Sequence, residues 1–440
     1  MRHFFRSYGL LIFITALIVL RFIILPLSPP GFYVDEAATG AHVVAMLAHG
    51  TDAHGNAWPL FSASLGGGYT TPVYLYPLTA WAALFGDGEL SLRAFSQFVT
   101  ITAVVILGVA LRWWVDKKYA AVTVIVGLML PWSWLQGSLA WDPAMVPLFV
   151  ALSFLGFSWL FFDTSRKLRI IGHALLPLSL LSLAYVYPPC RVSAPLLFIA
   201  AYGFLLWQKR ISWRNCLITC AGAAIIALPL ALFMFQPDAL ERSQQLSVFY
   251  QHSITEGIGQ FIINLSLLVN PLFLFVTGDP NIRHSTGIQG MLGIGALLPL
   301  AVLVVFAFLR RHTITKKALF ERKRQLLALI ALVGWLVSLI GSALTNESQP
   351  HSLRATAAWP FIVILITLGW TVLAQQRRKW VLQLALGLAA ISTLAYAADL
   401  AIYYPSRAAD SFDVPARDAI YSHQPTPNYP DLALHYYRTK

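Results

Sequence analysis

The sequence has little charge and few cysteines, and both shortages narrow the class of protein. Only 11% of the 440 residues are charged, whereas 58% are hydrophobic; soluble domains carry about 25% charged residues. So large an apolar fraction exceeds what one soluble core needs and suits a helix bundle surrounded by lipid. The three cysteines have neither metal-ligand nor redox spacing, and their odd number gives no disulfide framework.

Sequence motifs for nucleotides, metals and nucleic acids are also missing. The glycine run 66–68 is followed by no Lys-Ser or Lys-Thr pair, so it is not a phosphate-binding P-loop. No H-E-x-x-H or comparable histidine pattern occurs. We therefore expect no required metal or other cofactor; a divalent cation is possible but not indicated. The net charge of +12 is spread through short loops with no basic face, which argues against nucleic-acid binding.

Apolar runs long enough to cross a bilayer recur along the chain. The segments 72–86 and 258–276 are shorter or interrupted by Pro and Gly, so we expect them to lie in, or re-enter, the outer interface. The basic N-terminus, with no small-residue cleavage site after the first run, indicates an uncleaved signal anchor. The eleven predicted spans are approximately 7–28, 91–112, 118–138, 143–162, 170–187, 190–207, 215–235, 290–309, 325–345, 355–374 and 381–402.

The distribution of charge supports this map. With the N-terminus inside, most of the 31 Lys and Arg residues fall in inner connections, and most of the 19 acids fall outside or near outer ends, as the positive-inside rule requires. We expect a membrane module over 1–402, with long outer loops 29–90 and 236–289, and a short outer tail over 403–440. Arg21 and Asp399 lie near the outer ends of spans, where we expect them to snorkel.

The first outer loop carries two adjacent acids, Asp35 and Glu36, in a predicted amphipathic helix over 34–49. One interpretation is structural: Asp35 caps the helix and Glu36 complements its dipole. The other is that a carboxylate held at the membrane surface acts as a general base. Asp142, in the short second outer loop, has a similar pair of interpretations: an N-cap before Pro143 or a second active-site carboxylate.

Three other outer segments each place an arginine at the membrane edge. Such arginines can anchor helix ends and complement lipid headgroups. Alternatively, their guanidinium groups bind phosphate, with a nearby histidine as a switchable donor. Three of them on one face, with acids across the site, favour a phosphate-bearing substrate. The residues that we expect to bind substrate are Tyr69, Tyr187, Arg191, Asp279, Arg283, His284, His351 and Arg354.

Together these segments resemble the GT-C superfamily of membrane glycosyltransferases. The similarity is to its glycosyltransferase family 39-like branch, which includes protein O-mannosyltransferases and lipid A aminoarabinose transferase. The features that carry the resemblance are Asp35-Glu36 directly after the first span, Pro72-Val73-Tyr74, Phe85-Gly86 with Glu89 and Arg93, Asp142, the segment 278–284, and His351 with Arg354.

The resemblance implies an all-α, GT-C-like bundle of about eleven spans with juxtamembrane helices on its outer face. It implies an enzyme that moves a monosaccharide from a polyprenyl-phosphate donor to an acceptor hydroxyl, with inversion. In this hypothesis Asp35 is the general base, and Glu36 or Asp142 orients the acceptor or raises the basicity of Asp35. Arg191, Arg283 and Arg354 stabilise charge on the leaving phosphate.

The implied location is the inner membrane of a bacterial cell envelope, with a cytoplasmic N-terminus and an outer active site and C-terminus. The acceptor would be a glycolipid, polysaccharide or protein. A polymerase or ligase that uses a diphosphate-linked oligosaccharide is an alternative. A lipid or solute transporter is another, but it would need polar residues along a path across the membrane and repeat symmetry. The sequence leaves the sugar, the acceptor and the oligomeric state open.

Overall fold

The computed structural model describes residues 2–31, 33–64, 68–162, 164–309, 318–375 and 379–412. Most of the predicted tail, 413–440, lies outside the described residues. One antiparallel strand pair, β1 (Ser62–Ala63) and β2 (Tyr69–Thr70), accompanies the helices. The helices are α1 (Arg2–Ile24), α2 (Val34–His49), α3 (Pro72–Phe85), α4 (Glu89–Leu111), α5 (Lys117–Met129), α6 (Pro131–Gly137), α7 (Val146–Phe161), α8 (Arg166–Val186), α9 (Cys190–Trp207), α10 (Trp213–Met234), α11 (Pro237–Gln245), α12 (Ile254–Leu268), α13 (Leu297–Leu309), α14 (Ala318–Ala343), α15 (Trp359–Leu373), α16 (Lys379–Ala398) and α17 (Tyr404–Ala408).

The protein is an all-α polytopic membrane protein, as the apolar runs predicted. Within the described ranges, nine helices are long and apolar enough to cross a membrane. The bent pair of α5 and α6 is a tenth candidate, and the apolar helices Tyr8–Ile24 and Ile294–Ala307 are shorter. The nine are Glu89–Leu111, Asp142–Phe161, Arg166–Val186, Cys190–Trp207, Trp213–Met234, Ile254–Val276, Arg322–Ala343, Thr356–Leu373 and Lys379–Ser411.

The segment Ile254–Val276 is longer than we expected for an interfacial helix, and its length and composition would allow it to cross the membrane. Its contacts nevertheless lie at one side of the bundle. The side-chain amide of Asn264, in the middle of the segment, donates to the carbonyl oxygens of Ala343 and Thr345, at 3.0 and 2.9 Å. These carbonyls lie at the predicted outer end of α14, so an interfacial position remains our prediction for this segment.

A bend of 62° between α5 and α6 positions the second outer loop. Pro131 has no backbone N–H and cannot continue the hydrogen-bond ladder of α5, so the chain turns there. The short helix α6 then buries the rings of Trp132 and Trp134. Because α6 ends at Gly137, only a few residues separate it from Asp142 at the start of the next span.

A close backbone contact fixes the turn that carries Arg191. Gly341 of α14 lies against Pro189 in the turn between α8 and α9, where an added Cβ would collide with the Pro189 carbonyl oxygen. Small residues permit such an approach between membrane helices. The contact holds residues 187–191 against the last turn of α14.

The two charges within spans are buried with partners, so the expectation that they snorkel is wrong. Arg21 is 1% exposed. Its Nη2 donates to Ser133 Oγ at 2.9 Å, and its guanidinium lies 5.0 Å from the centre of the Trp134 ring. Asp399 accepts hydrogen bonds from Arg407 at 2.7 and 2.8 Å. Asp399 is therefore a paired and hydrogen-bonded buried charge, the kind that a protein interior tolerates. Arg21 has a hydrogen bond and a ring contact, but its Nε and Nη1 are buried with no partner among the described residues.

His42 ties the first outer loop to α2. Its Nδ1 accepts the N–H of Ala53 at 3.2 Å, and its Nε2 lies 3.1 Å from the carbonyl oxygen of Ala63. These partners assign the proton to Nε2. Burial lowers the pKa of His42 to about 4, although the nearby Asp52 acts in the opposite direction. The ring is therefore neutral at neutral pH and holds the loop onto the helix that carries Asp35.

Candidate active site

Asp35 and Glu36 are adjacent in sequence but have different surroundings. The N-cap residue of α2 is Tyr33, whose backbone N–H donates to Glu36 Oε2 at 3.3 Å. Asp35 is therefore not the N-cap, which corrects the structural interpretation of that residue. Asp35 lies in the first turn of α2 and is half-buried, whereas Glu36 is completely buried.

Glu36 forms a buried ion pair with Arg93 of α4. Its Oε1 accepts from Arg93 Nε and from the N–H of Ala140, both at 2.8 Å, and its Oε2 accepts from Arg93 Nη2 at 2.7 Å. Arg93 also donates to the carbonyl oxygens of Pro29 and Gly31. This pair joins the end of the first span, α2, α4 and the second outer loop, and it fixes the neighbouring Asp35 in position.

Asp142 brings a second carboxylate to the same region. It is the first residue of a short 3-10 turn, Asp142–Met145, and the N-cap position belongs to Trp141. The interpretation of Asp142 as an N-cap is therefore wrong. The half-buried Asp142 lies within electrostatic range of Asp35 and Arg191. The fold thus brings together three residues from three separate outer segments.

Tyr187 and Arg354 belong to the same group. Tyr187 is half-buried and lies within electrostatic range of Arg354, Asp142 and Asp35. Burial raises the pKa of Tyr187 above its ordinary value, so its hydroxyl is neutral and can donate a hydrogen bond. The group therefore contains two carboxylates, two guanidinium groups and one phenol.

Two arginines of this group have nitrogen atoms that the described residues leave unsatisfied. Arg191 Nη1 contacts the sulfur of Met234 at 2.9 Å, but its Nε is buried with no hydrogen-bond partner in this part of the chain. Arg354 Nη2 pairs with Glu347, whereas its Nη1 is likewise buried and unsatisfied. Buried donors are normally satisfied. These nitrogens are therefore donors available to an acceptor such as a phosphate oxygen.

Tyr69 reaches the group through an aromatic wall formed by Phe61, Tyr69 and Phe233. Tyr69 meets Phe233 edge-on, with 4.8 Å between ring centres, and Phe61 stacks on Phe233 at 3.9 Å. The guanidinium of Arg191 lies 6.0 Å from the centre of the Phe233 ring. The wall connects β2 and the end of α10 to the charged group.

The remaining predicted residues form a neighbouring cluster. The rings of His284 and His351 stack with 4.6 Å between centres, and Asp279 Oδ2 lies 3.3 Å from His284 Nδ1. Trp141, whose ring centre is 6.0 Å from that of His284, links this cluster to Asp142. Burial, assisted by the proximity of His284, lowers the pKa of His351 well below its ordinary value, so its ring is neutral at neutral pH.

Three residues that hold these groups together were not among the predicted site residues: Tyr33, Arg93 and Trp141. Tyr33 lies under Arg283, with 4.4 Å between the guanidinium and the ring centre. Arg93 had a detectable signal, since an arginine within an apolar span needs a partner and Glu89 lies one helical turn away. Trp141 directly precedes Asp142 and Tyr33 lies two residues before Asp35, and neither residue had any other signal in the sequence.

No known family profile and no curated protein sequence matches the chain. Among solved structures, it is similar to the oligosaccharyltransferase of Archaeoglobus fulgidus tethered with an acceptor peptide, with a TM-score of 0.52, 12% identity and coverage of 97% of this chain and 60% of that chain. It is also similar to the archaeal oligosaccharyltransferase AglB from Archaeoglobus fulgidus in complex with an inhibitory peptide and a dolichol-phosphate, with a TM-score of 0.50, 10% identity and coverage of 96% of this chain and 60% of that chain. For ArnT from Cupriavidus metallidurans in the apo state, the TM-score is 0.47 and the identity is 16%, with coverage of 97% of this chain and 88% of that chain.

The similarity to AglB concerns the fold. At 10–12% identity the shared property is the arrangement of helices, which is the GT-C arrangement expected from the sequence. The chain spans 60% of the length of the AglB chain.

Proposed function

We propose that the protein is a membrane glycosyltransferase that moves a monosaccharide from a polyprenyl-phosphate donor to an acceptor hydroxyl. The observation that carries the proposal is the grouping of Asp35 and Asp142 with Arg191 and Arg354, whose unsatisfied nitrogens have no partner in the described residues. Glycosyl transfer from a phosphate needs a base for the acceptor and cations for the leaving group. The fold shared with AglB, solved in complex with a dolichol-phosphate, supports a lipid-phosphate donor.

In the proposed reaction, the acceptor oxygen attacks the anomeric carbon while Asp35 takes the hydroxyl proton. The bond between the anomeric carbon and the phosphate oxygen breaks, and its electron pair leaves with the polyprenyl phosphate. Attack and departure occur on opposite faces of the sugar, so this single displacement inverts the anomeric centre. The atoms and electrons balance without a redox cofactor.

The surrounding residues have separate roles in this proposal. Arg191 and Arg354 stabilise the charge that develops on the phosphate, and Arg283 extends the positive surface from the neighbouring cluster. Asp142 orients the acceptor hydroxyl. Both oxygens of Glu36 already accept hydrogen bonds from the protein, so we assign Glu36 a positioning role and Asp35 the role of base.

The site is proposed to face the outer leaflet of a bacterial inner membrane. The charge distribution of the sequence favours a cytoplasmic N-terminus, which places Asp35 and Asp142 outside. A lipid-linked donor can reach such a site laterally from the leaflet. The acceptor class is a glycolipid, polysaccharide or protein exposed on the same side.

Transfer of an oligosaccharide is a second candidate, because the fold match at a TM-score of 0.52 is to an oligosaccharyltransferase. The same acids and arginines would serve a diphosphate-linked oligosaccharide donor. Offering both donors to the purified protein distinguishes the two functions by which one is consumed.

The experiment that tests the proposal measures transfer from a radiolabelled polyprenyl-phosphate sugar to a membrane extract. Asp35→Asn should lower the rate roughly 10²–10⁴-fold, the usual contribution of a general base, in a protein that remains folded. Asp87→Asn, in the same outer loop and outside the site, is the matched control and should keep the wild-type rate. Full activity in Asp35→Asn would overturn the assignment of the base.

A further inference from the structure

Asp279, His284 and His351 form a compact cluster of metal-ligating side chains. Each offers one ligand atom, and these atoms all lie within 4.8 Å of one another. The three residues are only 3%, 6% and 6% exposed. They come from two segments, 277–287 and 346–354, that are far apart in the sequence and meet beside Trp141.

Both imidazole rings have a nitrogen that lacks a partner. In the described part of the chain, Nδ1 of His284 and Nδ1 of His351 are buried and accept or donate no hydrogen bond. His284 Nδ1 lies 3.3 Å from Asp279 Oδ2 without hydrogen-bond geometry. Buried polar atoms rarely remain unsatisfied, and a single bound cation would satisfy both nitrogens and the carboxylate. The proposed glycosyl transfer uses none of these three side chains.

The backbone holds the carboxylate of this cluster in a fixed orientation. Asp279 Oδ1 accepts the N–H of Asn281 at 2.8 Å, and Oδ2 accepts the N–H of Ser352 at 2.6 Å. The second hydrogen bond joins the two segments and leaves Oδ2 a further lone pair for a cation. Hydrogen bonds of this kind orient the carboxylate ligands of metal sites.

We propose that Asp279, His284 and His351 bind a zinc ion, with a fourth position for water or a substrate oxygen. Two imidazoles and one carboxylate suit zinc, whereas magnesium and calcium prefer oxygen ligands. Zinc binds such ligands at about 2.0–2.2 Å, and the three ligand atoms already lie within 4.8 Å of one another. This site departs from our expectation that the sequence indicates no metal.

The ion would fix the relative position of two arginines. Arg283 precedes the ligand His284, and Arg354 follows the ligand His351 by three residues. A cation that joins their segments therefore sets the separation of the two guanidinium groups. Only this consequence rests on the proposed function; binding of zinc does not, and the ion has no part in the bond changes of the transfer.

Metal binding can be measured without any sugar donor. The full-length protein, purified in detergent and stripped with a chelator, is dialysed against ZnCl₂, and its metal content is determined by elemental mass spectrometry. We expect about one Zn²⁺ per chain and a melting temperature that rises with Zn²⁺ but not with Mg²⁺. Co²⁺ should produce the intense visible absorption of a tetrahedral site.

Three variants locate the ion. His284→Gln and His351→Gln should each lose the bound Zn²⁺ and the Co²⁺ absorption. His252→Gln, at an exposed histidine of the second long outer loop, is the matched control and should retain both. Equal metal content in His284→Gln and the wild type would overturn the proposal, as would equal loss in His252→Gln.

The Co²⁺ spectrum of the wild type decides the matter if a ligand variant fails to fold, as judged by size-exclusion chromatography. Tetrahedral bands that disappear on addition of excess Zn²⁺ support the site, and their absence overturns it. Since no measurement here uses glycosyl transfer, a wrong proposed function would leave the zinc result unaffected, and a wrong zinc site would leave the Asp35→Asn result unaffected.

Discussion

Two groups of charged side chains meet at the start of α2, one around Glu36 and one around Asp35. They differ in whether their buried hydrogen-bonding atoms have partners in the protein. Around Glu36, both carboxylate oxygens accept hydrogen bonds from Arg93 and from backbone N–H groups. Around Asp35, the described residues leave Arg191 Nε and Arg354 Nη1 buried and unsatisfied. Satisfied buried charge stabilises the fold, whereas unsatisfied buried donors indicate a place for a ligand. Two adjacent acids thus belong to groups with different roles.

Loss of Glu36 should have the largest effect on stability. Glu36→Ala leaves Arg93 buried without its carboxylate partner, and removing one member of a buried pair costs about 3–5 kcal/mol. We expect the melting temperature in detergent to fall strongly and the yield of folded protein to drop. Asp35→Asn, one residue away, should lower the melting temperature much less, because it leaves the buried pair of Glu36 and Arg93 intact.

Glu241→Ala is the control for this comparison. Glu241 is exposed, and its side chain accepts a hydrogen bond from Gln245, so its removal should change the melting temperature little. If Glu36→Ala folded normally and lacked only transfer activity, the two adjacent acids would have to exchange roles.

Both ring nitrogens of His42 have partners in the protein. The contribution of His42 to the stability of the fold should depend on pH. Its pKa is about 4 in the folded protein against an ordinary value of 6.5, so between these values the unfolded state binds more protons. Stability therefore rises with pH across this window and is lost as the pH falls from 6.5 toward 4. The full difference corresponds to about 3 kcal/mol.

The measurement is the melting temperature as a function of pH. His42→Gln should melt lower than the wild type at neutral pH, because the loop loses part of its attachment, but its profile should be flatter between pH 4 and 6.5. His252→Gln should keep the wild-type slope. Identical slopes in the wild type and His42→Gln would show that another group is responsible.

The elements of the fold that depend on local pattern could be predicted from the sequence. Apolar run length located eight of the nine long apolar helices of the described residues; the ninth, Ile254–Val276, was expected to be interfacial, and the predicted spans 7–28 and 290–309 correspond to shorter apolar helices. Helix α2 covers Val34–His49 as predicted, because Gly50 adopts the left-handed conformation that ends a helix there. The N-cap was assigned wrongly because Glu36 reaches back to the N–H of Tyr33, a choice among neighbouring polar residues that sequence spacing does not decide.

Contacts between distant segments could not be predicted in the same way. Arg21 pairs with Ser133, and the ion pair of Glu36 and Arg93 includes the N–H of Ala140. Topology placed the predicted acids and arginines at one face but did not indicate that they divide into two groups. That division depends on which helix ends meet, which in turn depends on contacts such as that between Gly341 and Pro189.

The smallest effect is expected on replacing an arginine that has an unsatisfied nitrogen. It should lower the efficiency with which the enzyme uses the sugar donor. A hydrogen bond from a charged donor contributes about 1.5–3 kcal/mol, so Arg354→Ala should lower kcat/KM for the polyprenyl-phosphate sugar roughly 10–100-fold. Stability should change little, since the partner Glu347 is 60% exposed and such pairs contribute weakly. Arg354→Lys keeps the charge but not the forked geometry of the guanidinium, so its kcat/KM should lie between those of the wild type and Arg354→Ala.

Arg407 provides the comparison that isolates the unsatisfied nitrogen as the cause. Its guanidinium already donates twice to Asp399 and once to the carbonyl oxygen of Thr286. Arg407→Ala should therefore lower the melting temperature and leave kcat/KM for the donor unchanged. If both alanine variants changed donor use equally, unsatisfied donors would not mark the phosphate site. If only Arg354→Ala did, the unsatisfied nitrogen would separate Arg354, which binds the donor, from Arg407, which holds the helices together.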